Sequence, residues 1–333
     1  MDEKTLDRWF SLIHDRRVGV VGDFCVDAYW ELRPECGEPS VETGIVTTPV
    51  GAARYFPGGA GNLAANLRAL GAEKLHCFGA LGSDPFGDWL RRALFPDSAA
   101  GDGLLRIDRA DYHTPVYCKP FFNGREQSRL DIGGVPLTDD EAEQLLRRIE
   151  AGLAELDVLI VNQQLPHGIH SEFFRREFAA LLARQTGEHK VVFDGREHID
   201  AYPGTILKIN AAAASQLAFG RPDAPPEESG AAILRRTGRE LVVTDGGNGC
   251  FVFGRDGTTF IPAIPYAGPT DTVGAGDSFT AGFALALACG FDLTEAAELG
   301  NGCAALTIRK VAQTGVPTRD ELRALFAGTA SRR

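Results

Sequence analysis

Short runs of consecutive apolar residues alternate along this chain with longer stretches in which apolar residues return every three or four positions. The runs Arg17 to Gly22, Leu75 to Gly79, Val158 to Val161, Lys190 to Phe193, Thr205 to Ile209 and Leu241 to Thr244 read as strands buried on both faces. Between them, Asn62 to Leu70, Phe86 to Leu94, Thr138 to Leu153, Ser171 to Arg184, Glu227 to Arg236, Gly276 to Ala288 and Leu293 to Thr307 carry the helical period. Strand then helix, repeated, predicts a doubly wound α/β fold: a mostly parallel sheet with helices on both faces.

Two stretches break that rhythm. From Tyr29 to Phe56 and from Thr114 to Asp131 the period drops to about two. The second holds Asn123-Gly124 between strand-like runs, a hairpin signal because both turn residues must tolerate positive φ. We therefore expect a single domain over residues 1–333 carrying a small β-sheet lid, assembled from insertions 29–56 and 113–131.

Charge narrows the partners. The 333 residues hold 34 Lys and Arg against 45 Asp and Glu, a net charge of −11, which disfavours nucleic acid and anionic membranes. Apolar stretches such as Phe279 to Cys289 fall short of the ~20 residues of a membrane span. The acidic, amphipathic start Met1-Asp2-Glu3-Lys4 lacks the pattern of an export signal, so a cytoplasmic protein is expected. Seven dispersed cysteines without a Cys-x-x-Cys pair suit small buried hydrophobes in a reducing compartment, not a disulfide or zinc framework. His167 and His170 are close in sequence, but two histidines alone fall short of a metal ligand set, and the expectation is that they cap a loop.

The densest chemistry lies in Gly268-Pro-Thr-Asp-Thr-Val-Gly-Ala-Gly-Asp-Ser-Phe-Thr-Ala-Gly-Phe283, a glycine-containing turn running into an apolar helix. Amides near Gly274, Ala275 and Gly276 have no helical carbonyl to bond, and the helix dipole adds positive potential there, so the turn suits phosphate. Asp277 follows in the first helical turn. A carboxylate there either caps the helix or takes a proton from an attacking hydroxyl. Gly59-x-Gly61-x-x-Ala64 also fits a loose dinucleotide pattern, but it stands some way beyond the first strand, where a Rossmann fingerprint does not belong. Neither a Gly-Lys-Ser/Thr nor a Gly-x-Ser-x-Gly sequence occurs, which removes the P-loop and the hydrolase elbow.

Taken whole, Asp271-Thr-Val-Gly-Ala-Gly-Asp277 resembles the C-terminal signature of the ribokinase (PfkB) family of sugar kinases. Pro57-Gly-Gly-Ala-Gly-Asn-Leu-Ala-Ala-Asn-Leu67 resembles its N-terminal signature, and the likeness runs from about Val18 to about Leu325. The resemblance implies a kinase that transfers phosphoryl from ATP to a hydroxyl of a sugar or sugar phosphate. It makes Asp277 the catalytic base and the amides of Gly274, Ala275 and Gly276 an anion hole. Asp27, Gly58, Gly59 and Asn62 would hold sugar hydroxyls. Asn210, Thr244, Gly246, Gly249 and Asn301 fall on the nucleotide side. Asp271 and the Val273 backbone would border a monovalent-cation site, K+ for instance, completed by the loop Lys310 to Gly315. Magnesium would be held through the ATP phosphates.

Within the family the compact Gly-Gly-Ala-Gly-Asn, the opening Val-Val-Gly-Asp-x-x-x-Asp-x-Tyr-Trp and Arg129-Leu130-Asp131 are most similar to heptose-7-phosphate kinases. That likeness puts Lys119 and Arg129 on a sugar phosphate, with Arg125 as a further cation and Tyr117 where a basic residue is usual. A homodimer joined through the lid is also expected. Another departure is Ala213, where the family often has the Glu of Asn-x-x-Glu that orders the hydrated magnesium: either another acid such as Asp194 substitutes or magnesium handling is weakened. Two rival readings stay open at this point, a sugar- or nucleotide-binding protein that has lost catalysis and an NAD-dependent dehydrogenase. No nucleotidyltransferase-like segment follows within the 333 residues, so a second step of a heptose pathway is expected to need another protein.

Overall fold

The computed structural model describes residues 1–96, 101–185, 190–311, 313 and 315–330. The chain begins with α1 (Glu3–Ile13), β1 (Arg17–Gly22), β2 (Phe24–Leu32), β3 (Val50–Gly59), α2 (Ala60–Leu70), β4 (Lys74–Phe78), β5 (Ala80–Gly82) and α3 (Pro85–Leu94). There follow β6 (Leu105–Ile107), β7 (Val116–Phe122), β8 (Arg125–Glu126), β9 (Leu130–Ile132), α4 (Asp139–Leu153), β10 (Val158–Gln163), α5 (Glu172–Arg184) and β11 (Lys190–Gly195). The C-terminal part holds β12 (Ile206–Asn210), α6 (Ala211–Phe219), α7 (Pro226–Thr237), β13 (Leu241–Thr244), β14 (Gly249–Gly254), β15 (Gly257–Pro262), α8 (Ala275–Ala288), α9 (Leu293–Thr307) and α10 (Arg319–Ala330).

Eight strands form the main sheet in the order β15-β14-β13-β12-β11-β10-β1-β4. From β4 to β13 every neighbour is parallel, and β14 and β15 add an antiparallel edge. The period of two along each strand sends alternate residues to two separate cores. Val18, Val20, Ile160, Val192 and Val242 pack with residues of α1, α2, α8 and α9 on one face. Val21, Leu159, Val161, Phe193, Leu207 and Val243 pack with α4 and α5 on the other. This is the doubly wound arrangement that the alternating pattern predicts.

A second sheet, ordered β3-β2-β7-β8 with β9 beside β7, stands on the carboxyl side of the first. Its β7–β8 hairpin turns at Asn123 and Gly124, with φ of 50° and 73°, the positive values that the Asn-Gly pair anticipates. The boundaries differ from expectation. Strand β2 begins at Phe24, with only Asp23 between it and β1, and Phe24, Val26 and Ala28 prolong the apolar run of β1 and conceal the change of period. Helices α1, α6 and α10 were also beyond the periodic reading. The run Ala211-Ala-Ala-Ala214 of α6 has no polar face to mark a period.

Helix α8 is fixed by small residues. A Cβ on Gly282 would lie 2.6 Å from the Cys303 sulfur, and one on Gly300 would lie 2.8 Å from the Phe279 carbonyl oxygen, so α8 and α9 touch backbone to backbone. All seven cysteines are free and six are buried, Cys36 being exposed. His170 is no loop cap: it is buried, with Nδ1 2.7 Å from the Tyr202 hydroxyl and Nε2 3.1 Å from the Asn162 carbonyl. Among the described residues no helix is long and apolar enough to cross a membrane.

Candidate active site

The carboxyl ends of the parallel strands converge on the N-terminus of α8, the edge where open α/β sheets bind ligands. Gly274 caps that helix with φ 77° and ψ −2°, a left-handed conformation that favours glycine. The Ala275 N–H donates to the Thr272 carbonyl at 3.2 Å and the Ser278 N–H to the Gly274 carbonyl at 2.9 Å. Ala275, expected in the anion hole, is thus already bonded within the turn. The amides of Gly274, Gly276 and Asp277 have no acceptor among the described residues. Beside them, a Cβ on Gly276 would lie 3.2 Å from the Lys208 ammonium. Unbonded amides, a helix N-terminus and a lysine together make a cradle for an anion.

Asp277 is partly buried in the first turn of α8 and accepts a 2.6 Å hydrogen bond from the Asn62 amide. Burial first, then the Asp194 carboxylate, push its carboxyl up to about 6 against the opposing pull of Asn62, Lys208 and Arg196. A carboxylate near this value can accept a proton at neutral pH more readily than an ordinary Asp.

Asn62, expected to hold sugar hydroxyls, is 2% exposed and is engaged by Asp277 and by Asn66, which donates 3.0 Å to its side-chain oxygen. Its place at the start of α2 follows from Gly59, whose positive φ of 54° with ψ of −127° turns β3 straight into the helix. Asp23 has a different role from Asp27: it accepts from the amides of Gln164, Leu165 and Ile169 and ties the β1–β2 junction to the loop after β10. Asp27, on β2, pairs with Lys119 on β7 at 2.9 Å, and Gly58 leaves the space, since a Cβ there would lie 3.1 Å from the Asp27 carboxylate. The Lys119 ammonium also sits 4.8 Å over the Tyr29 ring. Burial first, then the carboxylates of Asp27, Asp23 and Asp277, raise the Cys25 thiol. Arg129 forms a two-pronged pair with Asp131 at 2.7 and 2.8 Å and lies 4.4 Å over the Tyr117 ring.

The residues expected on the nucleotide side lie further along the same edge. Asn210 and Thr244 are direct partners across β12 and β13. Asn210 caps α6 by accepting from the Ala213 N–H at 2.9 Å. Gly246 and Gly249 bound the turn after β13, and at Gly249 φ is 121° with the Ile261 carbonyl too close for any side chain. Asn301 donates to the Pro262 carbonyl at 2.8 Å, joining α9 to the end of β15. Asp271 accepts from the Val273 N–H at 3.0 Å, and its own N–H donates to the Ile308 carbonyl at 2.8 Å. Of the loop expected to complete a cation site, Ala312 and Thr314 lie outside the described residues.

Asp194, the acid expected to stand in for the missing Glu, is 5% exposed, receives Lys208 on both oxygens at 3.1 Å and accepts a 2.6 Å bond from Thr280. Lys208 escaped the sequence reading; its signal was a single cation inside the apolar run of β12. Asn66, Ser278 and Thr307 escaped it too, as polar residues on apolar helix faces.

The architecture is that of the ribokinase-like kinases. Arabidopsis thaliana ribokinase complexed with ribose and ATP matches with a TM-score of 0.68 at 22% identity, over 93% of this chain and 98% of that one. Escherichia coli phosphofructokinase-2 in complex with potassium matches with a TM-score of 0.73 at 19% identity, over 95% and 99% of the two chains. The family model described as pfkB family carbohydrate kinase matches residues 135–319, more than half of the sequence, and the chain belongs to that family. The bifunctional protein HldE of Azorhizobium caulinodans is 30% identical over 322 residues, 94% of this chain; the chain spans 65% of that relative's length.

Proposed function

We propose that this carbohydrate kinase transfers the γ-phosphoryl group of ATP to a hydroxyl of heptose 7-phosphate. The observation that carries the reading is Asp277, raised to about 6 and held by Asn62 beside the open amides of Gly274 and Gly276. Asp277 takes the proton of the attacking hydroxyl, and the turn amides with Lys208 stabilise charge on the phosphoryl oxygens. Asp27, Gly58 and Gly59 face the sugar, and residues 1–333 act as one unit whose second sheet is a lid. Asn210, Thr244, Gly246, Gly249 and Asn301 line the nucleotide side.

The donor set at the turn fits an anion: no group of three His, Cys, Asp or Glu side chains is placed to hold a metal among the described residues. The family resemblance puts magnesium on the nucleotide phosphates, where it would neutralise the transferring group. Asp271 and the Val273 carbonyl supply oxygen donors for a monovalent cation. The resemblance to heptose-7-phosphate kinases and the likeness to HldE support the acceptor, with Lys119 and Arg129 as the lid cations for its phosphate.

An ADP-release assay over heptose 7-phosphate, fructose phosphates, ribose and nucleosides tests this. The highest kcat/KM is expected with heptose 7-phosphate; a better acceptor among the others overturns the substrate, and no ADP release with any of them favours a binding protein. ATP is expected to raise the melting temperature and NAD to leave it unchanged; the reverse would favour a dehydrogenase.

A further inference from the structure

We propose that Asn66, Ser278 and Thr307 are positioning residues for Asp277, acting through Asn62 as one chain of donors that ends on its carboxylate. The inference rests on the reading of Asp277 as the base. The Thr307 hydroxyl donates to Ser278 Oγ at 2.6 Å, and Ser278 donates to Asn66 Oδ1 at 2.6 Å. Asn66 Nδ2 donates to Asn62 Oδ1 at 3.0 Å, and Asn62 Nδ2 donates to Asp277 Oδ2 at 2.6 Å.

The direction of this chain follows from donor chemistry. Asn66 Nδ2 also lies 2.8 Å from the Asn62 backbone carbonyl, which can only accept, so the Asn66 amide has one orientation. Its oxygen therefore faces Ser278, whose single proton is used there. Thr307 must then donate to Ser278, and its 3.3 Å approach to the Gly315 carbonyl is the weaker contact. Asn62, receiving Asn66 on its oxygen, is left to present its NH2 to Asp277. No step has a free choice.

Asn62, Asn66, Ser278 and Thr307 are all 2% exposed or less, so water cannot repair a broken link. The four residues come from α2, α8 and α9, and Ser278 adjoins Asp277. Charged and titratable groups face the carboxylate from elsewhere: Asp194 on β11, Lys208 on β12, Arg196 after β11, and the Cys25 thiol on β2. The relay itself carries no charge. It sets where the carboxylate points and favours its ionised form without altering the field that burial and Asp194 create.

The test measures kcat, KM for ATP, melting temperature and the pH dependence of kcat/KM for Asn66→Leu, Thr307→Val and Thr307→Ser, with Asp277→Asn alongside. Asn66→Leu is expected to lower kcat by about tenfold and to move the acid limb upward by roughly half a pH unit or more, with KM for ATP unchanged. Thr307→Val, which keeps shape and loses the hydroxyl, shifts the limb the same way by less; Thr307→Ser keeps the hydroxyl and the wild-type limb. A folded Asn66→Leu with an unmoved limb overturns the proposal, whether kcat is normal or falls only in step with melting temperature. If Asn66→Leu does not fold, the Thr307 pair decides, and equal limbs for Val and Ser overturn it. Near-normal turnover by Asp277→Asn would instead remove the base itself, a result distinct from failure of the relay.

Discussion

Asp277 combines two demands that usually conflict. A carboxylate inside an apolar helix start is costly as an anion, yet it must be an anion to accept a proton. Burial raises its pKa to about 6 from 3.8, while the Asn62 amide, Lys208 and Arg196 keep it from going higher. At neutral pH it is mostly ionised, and kcat/KM is expected to fall as pH drops through about 6 with unit slope. The sign for stability is the opposite of that for a salt-bridged Asp. Between about 3.8 and about 6 the folded state binds the proton and the unfolded state releases it, so Asp277 subtracts stability as pH rises through that window. Asp277→Asn should therefore lower kcat roughly 10² to 10⁴-fold while leaving the melting temperature at pH 7 equal or higher. Activity and melting curves on the same preparation check both halves; near-normal kcat, or a large loss of stability, contradicts the assignment.

At the level of elements, the legibility of the sequence divides along physical lines. The main sheet showed itself because strands covered on both faces must be apolar throughout, and the turn before α8 because small residues and an acid at a helix start form a local pattern. The cluster Asp194–Lys208–Thr280 did not show itself, since it joins β11, β12 and α8 across 86 residues and depends on which strands are neighbours. The relay from Thr307 to Asn62 is hidden for the same reason, spanning α2, α8 and α9. The Asp194–Lys208 pair supports a definite expectation. Both side chains are 7–8% exposed, and removing one leaves the other charged and unpaired. Lys208→Met should cost about 3–5 kcal/mol, whereas Lys208→Met with Asp194→Leu should recover most of it. Denaturant unfolding of both variants distinguishes a mutual pair from two independent groups. Where α8 meets α9, Gly300→Ala places a Cβ 2.8 Å from the Phe279 carbonyl and should cost ~1–3 kcal/mol, because backbone cannot yield as a side chain can.

For the whole molecule, the second sheet poses the remaining physical problem, because a small sheet needs its apolar face packed against something. One face, with Asp27, Tyr29, Tyr117 and Lys119, turns toward the cleft; the register puts Ala28, Trp30, Cys118, Phe122, Tyr55, Leu130 and Ile132 on the other. Helix α3 covers part of that second face through Phe86 and Trp89, which pack on Tyr55. Leu130 remains 56% exposed, with Phe122 and Ile132 at 37% and 36%, so the uncovered remainder is apolar and lies on the face opposite Asp27 and Lys119. We propose that a second copy of the chain covers it, lid against lid. Light scattering should then give about twice 35.7 kDa at assay concentrations, and Leu130→Asp with Ile132→Lys should give a monomer that keeps its main sheet by circular dichroism. Because β9, which carries both residues, pairs with β7, the strand of Lys119, and β7 in turn pairs with β2, the strand of Asp27, the monomer is expected to lose affinity for the sugar before it loses affinity for ATP. A monomeric wild-type protein of full activity would show instead that the lid stands alone, its apolar face simply tolerated by solvent.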